Sequence, residues 1–467
     1  MVQQLGLDHG RGLREKFFLS PRGTCDTIPG MSLRIPFFLL ALLPSVLFTA
    51  AAPASSLPEA VIPAGVGINI HFTRGHEQDL DLMAAAGIKF VRQDLYWAGT
   101  EPRKGEYDWS EFDDLLTQLD RRGMHAYLIL DYSHPLYEHD VTATNPITGE
   151  TGERTTASPQ HPESIAAFAN WAAAAARHFH GRGVIWEIWN EPNISFWQPK
   201  PDVEQYTALA LATCRAVRAA DPDATIVAPA SSEFPWPFLE RFFQSGALEY
   251  LDAVSVHPYR PPQMPPETAA ADFQRLRALI AKYAPAGKKN LPILSGEWGY
   301  STHSKGGVTL DQQANFIARQ QLSDLLCGVP LSIWYDWKND GNDPAENEHN
   351  FGTVKPDLAP KPAYGALQTL TRELGGGHLE RRFDTGNTND FVLLFRTGGE
   401  GRKLAAWTIA KARNVSLPLA HASTNQLAWI NGAGQRGTMD ATSGSLPLAL
   451  DGTPKYIDLR GADLPAK

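Results

Sequence analysis

Between Val66 and about Leu374 the chain alternates short, continuous apolar runs with stretches of helical periodicity. The runs occupy 66–72 (VGINIHF), 88–95 (IKFVRQDL), 125–133 (HAYLILDYS), 183–190 (GVIWEIWN), 225–232 (TIVAPASS), 252–259 (DAVSVHPY), 291–298 (LPILSGEW) and 330–337 (PLSIWYDW). They are rich in β-branched and aromatic residues and carry little polar alternation, the pattern of strands buried on both faces. Amphipathic helices fall between most of them, as at 162–179 and 311–326. Repeated strand–helix units of this kind predict an α/β fold whose parallel sheet closes into a (β/α)8 barrel. An open doubly wound sheet competes, but no glycine-rich phosphate turn follows the first run.

Beyond the glycines at 375–377 the pattern changes. Short alternating runs at 390–397, 403–410, 425–430 and 454–459, separated by Gly, Asn and Asp, predict a small all-β, sandwich-like domain. The expected boundaries are therefore a barrel over 53–374 and a β domain over 375–467. The connection at 139–163 is long and polar, which suits a binding loop at the barrel's active face. Residues 1–52 read as an upstream extension and a signal peptide at about 31–52. Met31 to Arg34 is a short basic region, an apolar run follows, and small residues close it. Translation from Met31, export to the periplasm or outside, and no stable membrane insertion after cleavage are the expectations.

Composition narrows the function classes. Hydrophobic residues at 43% and charged residues at 20% describe an ordinary globular protein, and a net charge of −9 speaks against a nucleic-acid surface. Cys25 lies in the leader. Cys214 and Cys327 sit on predicted helices, far apart in a barrel, and read as free thiols. No HExxH or paired His/Cys spacing points to a metal, and no cofactor is expected. Asp340, Asn342, Asp343 and Glu346 could wrap a calcium ion. Gly341 breaks the calcium-loop spacing, however, so a solvated acidic loop is expected.

Chemistry in a barrel gathers at the C-terminal ends of the strands. Reading those ends gives Arg92, His134, Asn190 with Glu191, His257 with Tyr259, Glu297, and the pair Trp334 and Trp337. Glu191 ends the fourth strand and Glu297 the seventh, so two carboxyls face each other across the mouth. Cleavage of a glycosidic bond needs that arrangement.

Four motifs in this order, "IWNEPN", "VHPY", "SGEWG" and "IWYDW", resemble glycoside hydrolase clan A, nearest to families 39 and 5. The resemblance extends to the family 39 branch of exopolysaccharide endoglycosidases. It implies a retaining double displacement on a β-glycoside, with Glu191 as acid/base and Glu297 as nucleophile. From the residues themselves, Arg92 and Tyr259 can hold Glu297 ionised. Glu187 competes as the partner of Arg92. Asn190 should donate to the sugar 2-hydroxyl. His257 would orient the acid/base or contact sugar, and His134 would contact a neighbouring hydroxyl or cap a loop. Strand alternation puts Trp334 and Trp337 on different faces, so only one can be the sugar platform. Trp97, Tyr132, Trp197 and Trp298, just past strand ends, are candidates for further subsites. The expectation is a secreted, monomeric, retaining β-glycosidase that cuts within an oligo- or polysaccharide. The alternatives are an exo-acting β-glucosidase or β-xylosidase, and a non-catalytic carbohydrate-binding barrel.

Overall fold

The structure is a computed structural model that describes residues 57–465, apart from 145–150, 399–400 and 442–443. The expected leader at 1–52 and the start at Met31 lie outside the described residues. The barrel strands are β1 (Val66–Asn69), β2 (Phe90–Tyr96), β3 (His125–Asp131), β4 (Ile185–Ile188), β5 (Thr225–Ser232), β6 (Ala253–His257), β7 (Ile293–Trp298) and β8 (Ser332–Trp334). They form a closed parallel barrel in which β8 pairs back onto β1. The apolar runs become strands because both of their faces find cover. Phe90, Ile185, Val227, Ala253, Leu294 and Ile333 fill the interior, while the outward residues join one core with the surrounding helices. Two of those helices show why they start where they do. Asp202 caps Val203–Ala220 by accepting from the Glu204 and Gln205 amides, and Thr309 with Gln312 makes a capping box for Leu310–Leu326. Cys214 and Cys327 are free thiols.

The C-terminal region is an antiparallel seven-stranded sheet. Its order is Val61–Ile62, Gly377–Arg382, Asp390–Arg396, Arg402–Thr408, Lys455–Asp458, Gln426–Asn431, Arg436–Asp440. The first of these strands precedes the barrel in the chain, so the sheet draws on residues from both ends of it. Period-two alternation sorts the side chains. Val392, Leu394, Leu404 and Ala406 pack under a separate two-stranded antiparallel sheet of Arg413–Pro418 and Ser445–Leu450. Phe391, Leu393, Phe395, Ala405 and Trp407 turn the other way, into the core shared with the barrel helices. A buried polar clasp adds to that contact: Arg319 holds Glu267 through Nε and Nη2 at 2.7 and 2.8 Å, and Trp407 Nε1 donates to Glu267 at 2.6 Å. In the long connection, Asp140–Thr144 and Thr151–Thr156 pair as a hairpin. Among the described residues, no helix is long and apolar enough to cross a membrane.

Candidate active site

The site begins where β4 ends. Trp189 and Glu191 hold φ angles of 68° and 47°, and on the neighbouring strand Ala230 holds 53°. Left-handed backbone costs a non-glycine residue about 1–3 kcal/mol and persists where the surroundings enforce it. Here they do. The Glu191 amide donates to the Ala230 carbonyl at 3.0 Å. Asn193 latches the turn to β5 by accepting from the Ser232 amide at 2.8 Å and donating to its carbonyl at 3.1 Å. The Asn190-Glu191-Pro192-Asn193 turn is thereby fixed to the barrel rim, with the Asn190 and Glu191 side chains aimed over the mouth.

Arg92, on β2, is the hub. Its guanidinium is buried; Nε and Nη2 reach Glu187 Oε2 at 2.8 and 2.6 Å, and Nη1 reaches Glu297 Oε2 at 2.5 Å. The competition between Glu187 and Glu297 for this arginine resolves as a bridge to both. Nη1 also donates to Asn69 Oδ1 and Nη2 to Asn190 Oδ1, each at 3.0 Å. Glu187 is completed from below by the Tyr127 and Ser255 hydroxyls at 2.6 and 2.5 Å. Gly296 explains how β7 fits over this cluster: a Cβ there would lie 2.3 Å from Ser255 Oγ and 2.9 Å from Glu187 Oε1.

Glu297 takes a second donor, the Tyr259 hydroxyl, at 2.7 Å. Burial pushes its pKa up, but the Arg92 charge, then His257 and the Tyr259 hydrogen bond, outweigh it and hold the carboxyl below its ordinary range. Tyr259 moves the opposite way, well above the usual phenol value, through burial and the neighbouring Glu297, so it stays a donor. Across the mouth, His257 Nδ1 lies 2.9 Å from Glu191 Oε1, and its Nε2 lies 3.4 Å from Arg92 Nη2. A carboxyl oxygen of Glu191, a ring nitrogen of His257 and a carboxyl oxygen of Glu297 all lie within 4.8 Å of one another. Asn190 Nδ2 donates to the Tyr132 hydroxyl at 2.9 Å, which leaves its other amide hydrogen for a ligand.

The structure brings Arg92, Asn190, Glu191, His257, Tyr259 and Glu297 together, and it places the other expected residues elsewhere. His134 is not a sugar contact. Its Nε2 donates to the Glu101 carbonyl at 2.9 Å and its Nδ1 accepts from the Leu136 amide at 3.0 Å, so it caps a loop with both nitrogens used. Trp97, Trp298, Trp334 and Trp337 are at most 1% exposed and cannot offer a ring face to a ligand. Trp97 stacks on Tyr137 and Trp171 and donates to Glu101. Trp337 donates to Asp79 at 2.8 Å. Trp197 is likewise buried, with its Nε1 on Gln205.

Tyr335 takes the position expected of a strand-eight tryptophan. Ile333 points into the barrel and Trp334 outward, so Tyr335 faces the mouth again. Its half-buried ring meets Phe351 edge-on at 5.2 Å and His71 at 5.6 Å, and its hydroxyl donates to Glu348 at 3.2 Å. Gly299 lets β7 approach it, since a Cβ there would lie 1.7 Å from the Tyr335 carbonyl oxygen. The acidic loop at 339–352 is thus partly a wall of the site, through Glu348 and Phe351, while Asn342, Asp343 and Glu346 are exposed. Outside the central trio, two other groups of described residues bring metal-type donors within 4.8 Å of one another: His71 with Asp336 and Asp340, and Glu138 with His139 and His161.

Comparison with known proteins agrees with this geometry. The family model described as cellulase (glycosyl hydrolase family 5) matches residues 63–340. A β-xylosidase of Caldicellulosiruptor saccharolyticus is 24% identical over 251 residues, a match that spans 48% of this chain and 49% of that one, about half the length of each. Among solved structures, a family 39 glycoside hydrolase from Bacteroides cellulosilyticus superimposes with a TM-score of 0.71 at 24% identity, over 85% of this chain and 81% of that one. A family 39 β-xylosidase from Caulobacter crescentus gives a TM-score of 0.61 at 18% identity, over 87% and 98%. At these identities the structural likeness speaks for the fold.

Proposed function

The chain belongs to the cellulase family, glycosyl hydrolase family 5, among the clan A glycoside hydrolases, and from that premise we propose a secreted, retaining β-glycosidase that cuts within a β-linked oligo- or polysaccharide. The observation that carries the retaining mechanism is the approach of the two carboxyls, within 4.8 Å at their nearest oxygens. Retaining enzymes hold their carboxyls about 5–5.5 Å apart, whereas inverting ones leave about 6.5–9.5 Å for a water.

In the first step Glu297, ionised beside Arg92 and Tyr259, attacks the anomeric carbon. The bond to the leaving oxygen breaks as Glu191 gives that oxygen its proton. Glu191, now a carboxylate against His257, then takes a proton from water, whose oxygen attacks the same carbon and releases Glu297. Asn190 offers its free amide hydrogen to the sugar 2-hydroxyl, and Tyr335 lies where a ring can support the sugar's C–H face. Glu297→Ala should lose turnover and regain it with azide as the α-glycosyl azide. Glu191→Ala should give the β-azide, from substrates whose leaving group needs little protonation. Failure of both rescues would overturn the double displacement. Export is tested separately: secreted protein should begin near residue 53, and a start at or before Met31 would count against a cleaved leader.

A second reading, an exo-acting β-xylosidase, is favoured by the similarity to the β-xylosidase of Caldicellulosiruptor saccharolyticus. Early products separate the two. Oligosaccharides of mixed length mean cutting within the chain, and monosaccharide alone means cutting from its end.

A further inference from the structure

The group of Glu138, His139 and His161 lies at the foot of the 139–163 connection, where the hairpin meets the helix Pro162–His178. The two ends of that connection are drawn together. The Ala157 amide donates to the His139 carbonyl at 2.9 Å. The Gln160 and His161 amides donate to Glu138 Oε1 at 3.0 and 3.3 Å, and the Ser164 hydroxyl donates to the same oxygen at 2.6 Å. Burial pushes the Glu138 pKa up, but the Gln160 amide, the Ser164 hydroxyl and His161 outweigh it and hold the carboxyl below its ordinary range. The side chain is 0% exposed, whereas the imidazoles of His139 and His161 are 65% and 57% exposed. Its second oxygen, Oε2, faces those two rings. His161 Nδ1 lies 3.0 Å from it and His139 Nδ1 lies 3.7 Å from it.

One donor atom from each of the three residues lies within 4.8 Å of the other two. Zinc bonds of about 2.0–2.2 Å at tetrahedral angles put ligand atoms about 3.3–3.6 Å apart, so small shifts of two exposed rings complete the set and leave a fourth place for water. Two imidazoles and one carboxylate suit a first-row transition ion, whereas calcium takes about six to eight oxygens. The donors on Oε1 act as the groups behind a metal-bound carboxylate do, fixing its orientation while Oε2 stays turned to the histidines. We propose that Glu138, His139 and His161 form a zinc site that clamps the two ends of the 139–163 connection to the start of the following helix. The role is structural, and it stands independently of the glycosidase reading above. His139 and His161 flank a long insertion instead of sharing a short motif, so metal-ligand spacing in the sequence does not reveal them.

The test uses the whole chain, stripped of metal with a chelator and dialysed. Calorimetric titration with zinc chloride should show a site that His139→Ala weakens at least about a hundredfold, since changes merely behind a metal ligand already cost about 10–100-fold. His139 is exposed, so its loss leaves the fold in place, and circular dichroism checks that. His161→Ala should weaken the same site. Asp340→Asn, in the group with His71 and Asp336, should leave it unchanged. Limited proteolysis reads the clamp. An ion that binds only the closed connection, held at about ten times its Kd, lowers the open fraction about tenfold. Zinc should therefore slow cleavage between His139 and His161 about tenfold in the parent protein and not in His139→Ala. Absence of zinc binding, or binding that survives both histidine substitutions, would overturn the site. Binding removed by Asp340→Asn would place the ion at the barrel mouth and overturn it too. Zinc bound through both histidines without slower cleavage would overturn the clamp.

Discussion

Replacing Arg92 with methionine keeps most of the side chain's length and removes its charge. The guanidinium and Glu187 are 1% and 0% exposed, and the same guanidinium holds Glu297. Breaking a buried ion pair by removing one partner costs about 3–5 kcal/mol, because the other charge stays buried. Glu187 keeps its Tyr127 and Ser255 donors, so the lower end, about 3 kcal/mol, is expected. Against a usual total of about 5–15 kcal/mol, that is a large share. Urea denaturation followed by tryptophan fluorescence reads it at pH 7. The sign of the pH dependence is specific. Arg92 holds the Glu297 carboxyl below its ordinary range, which stabilises the fold above the unfolded carboxyl's pKa and is lost as pH falls through the folded one, and the variant lacks that contribution. The variant's deficit should therefore shrink as pH falls through the ordinary carboxylate range, where that contribution is lost from the parent protein too. Glu187→Gln in the Arg92→Met background should recover part of the loss at pH 7. An unchanged midpoint at pH 7, or a deficit that does not shrink on acidification, would refute the assignment of Arg92 as the shared counter-charge.

Tyr259→Phe removes one donor from the Glu297 carboxylate; such bonds are worth about 1.5–3 kcal/mol, or about one to two pKa units. The acid limb of kcat/KM should accordingly move to higher pH, and a limb that stays put would show that Tyr259 does not support the ionised form. Tyr335→Ala should cut kcat/KM about ten- to a hundredfold with little change in stability. Trp334→Ala should instead cost about 3–5 kcal/mol of stability, as emptied buried sites do; the reverse outcome would return the platform to the tryptophan. Glu267→Gln should loosen the clasp with Arg319 and Trp407 and lower the melting temperature of barrel and sheet together, read by calorimetry. An unchanged transition would mean that apolar contact alone joins them.

The barrel was legible because its strands are apolar on both faces, a signal that survives without any tertiary information. Glu191 and Glu297 were legible for the opposite reason, as charges standing where apolar strands end. The tryptophans misled. Trp298 follows the inward-facing Glu297 and Trp334 follows the inward-facing Ile333, so the two-residue period already turned both toward the helices. The same count from Ile333 points to Tyr335. His134 carried no such signal, since a histidine after a strand end looks alike whether it meets a ligand or a carbonyl. The hairpin at 140–156 was hidden by its composition: Thr-rich and polar on both faces, it offers no apolar alternation to read. The pairing of Val61 and Ile62 with Gly377 and His378 depends on long-range contact, which local pattern does not encode.

In the proposed reaction Glu297 attacks the anomeric carbon and Glu191 then directs water to the same face that the leaving group vacated. Proton NMR of the first-formed product from a β-linked substrate, recorded before the anomers equilibrate, tests this most directly. Under double displacement the β-anomer appears first and the α-anomer grows in afterwards by mutarotation. An α-anomer appearing first would mean a single displacement with inversion and would contradict it.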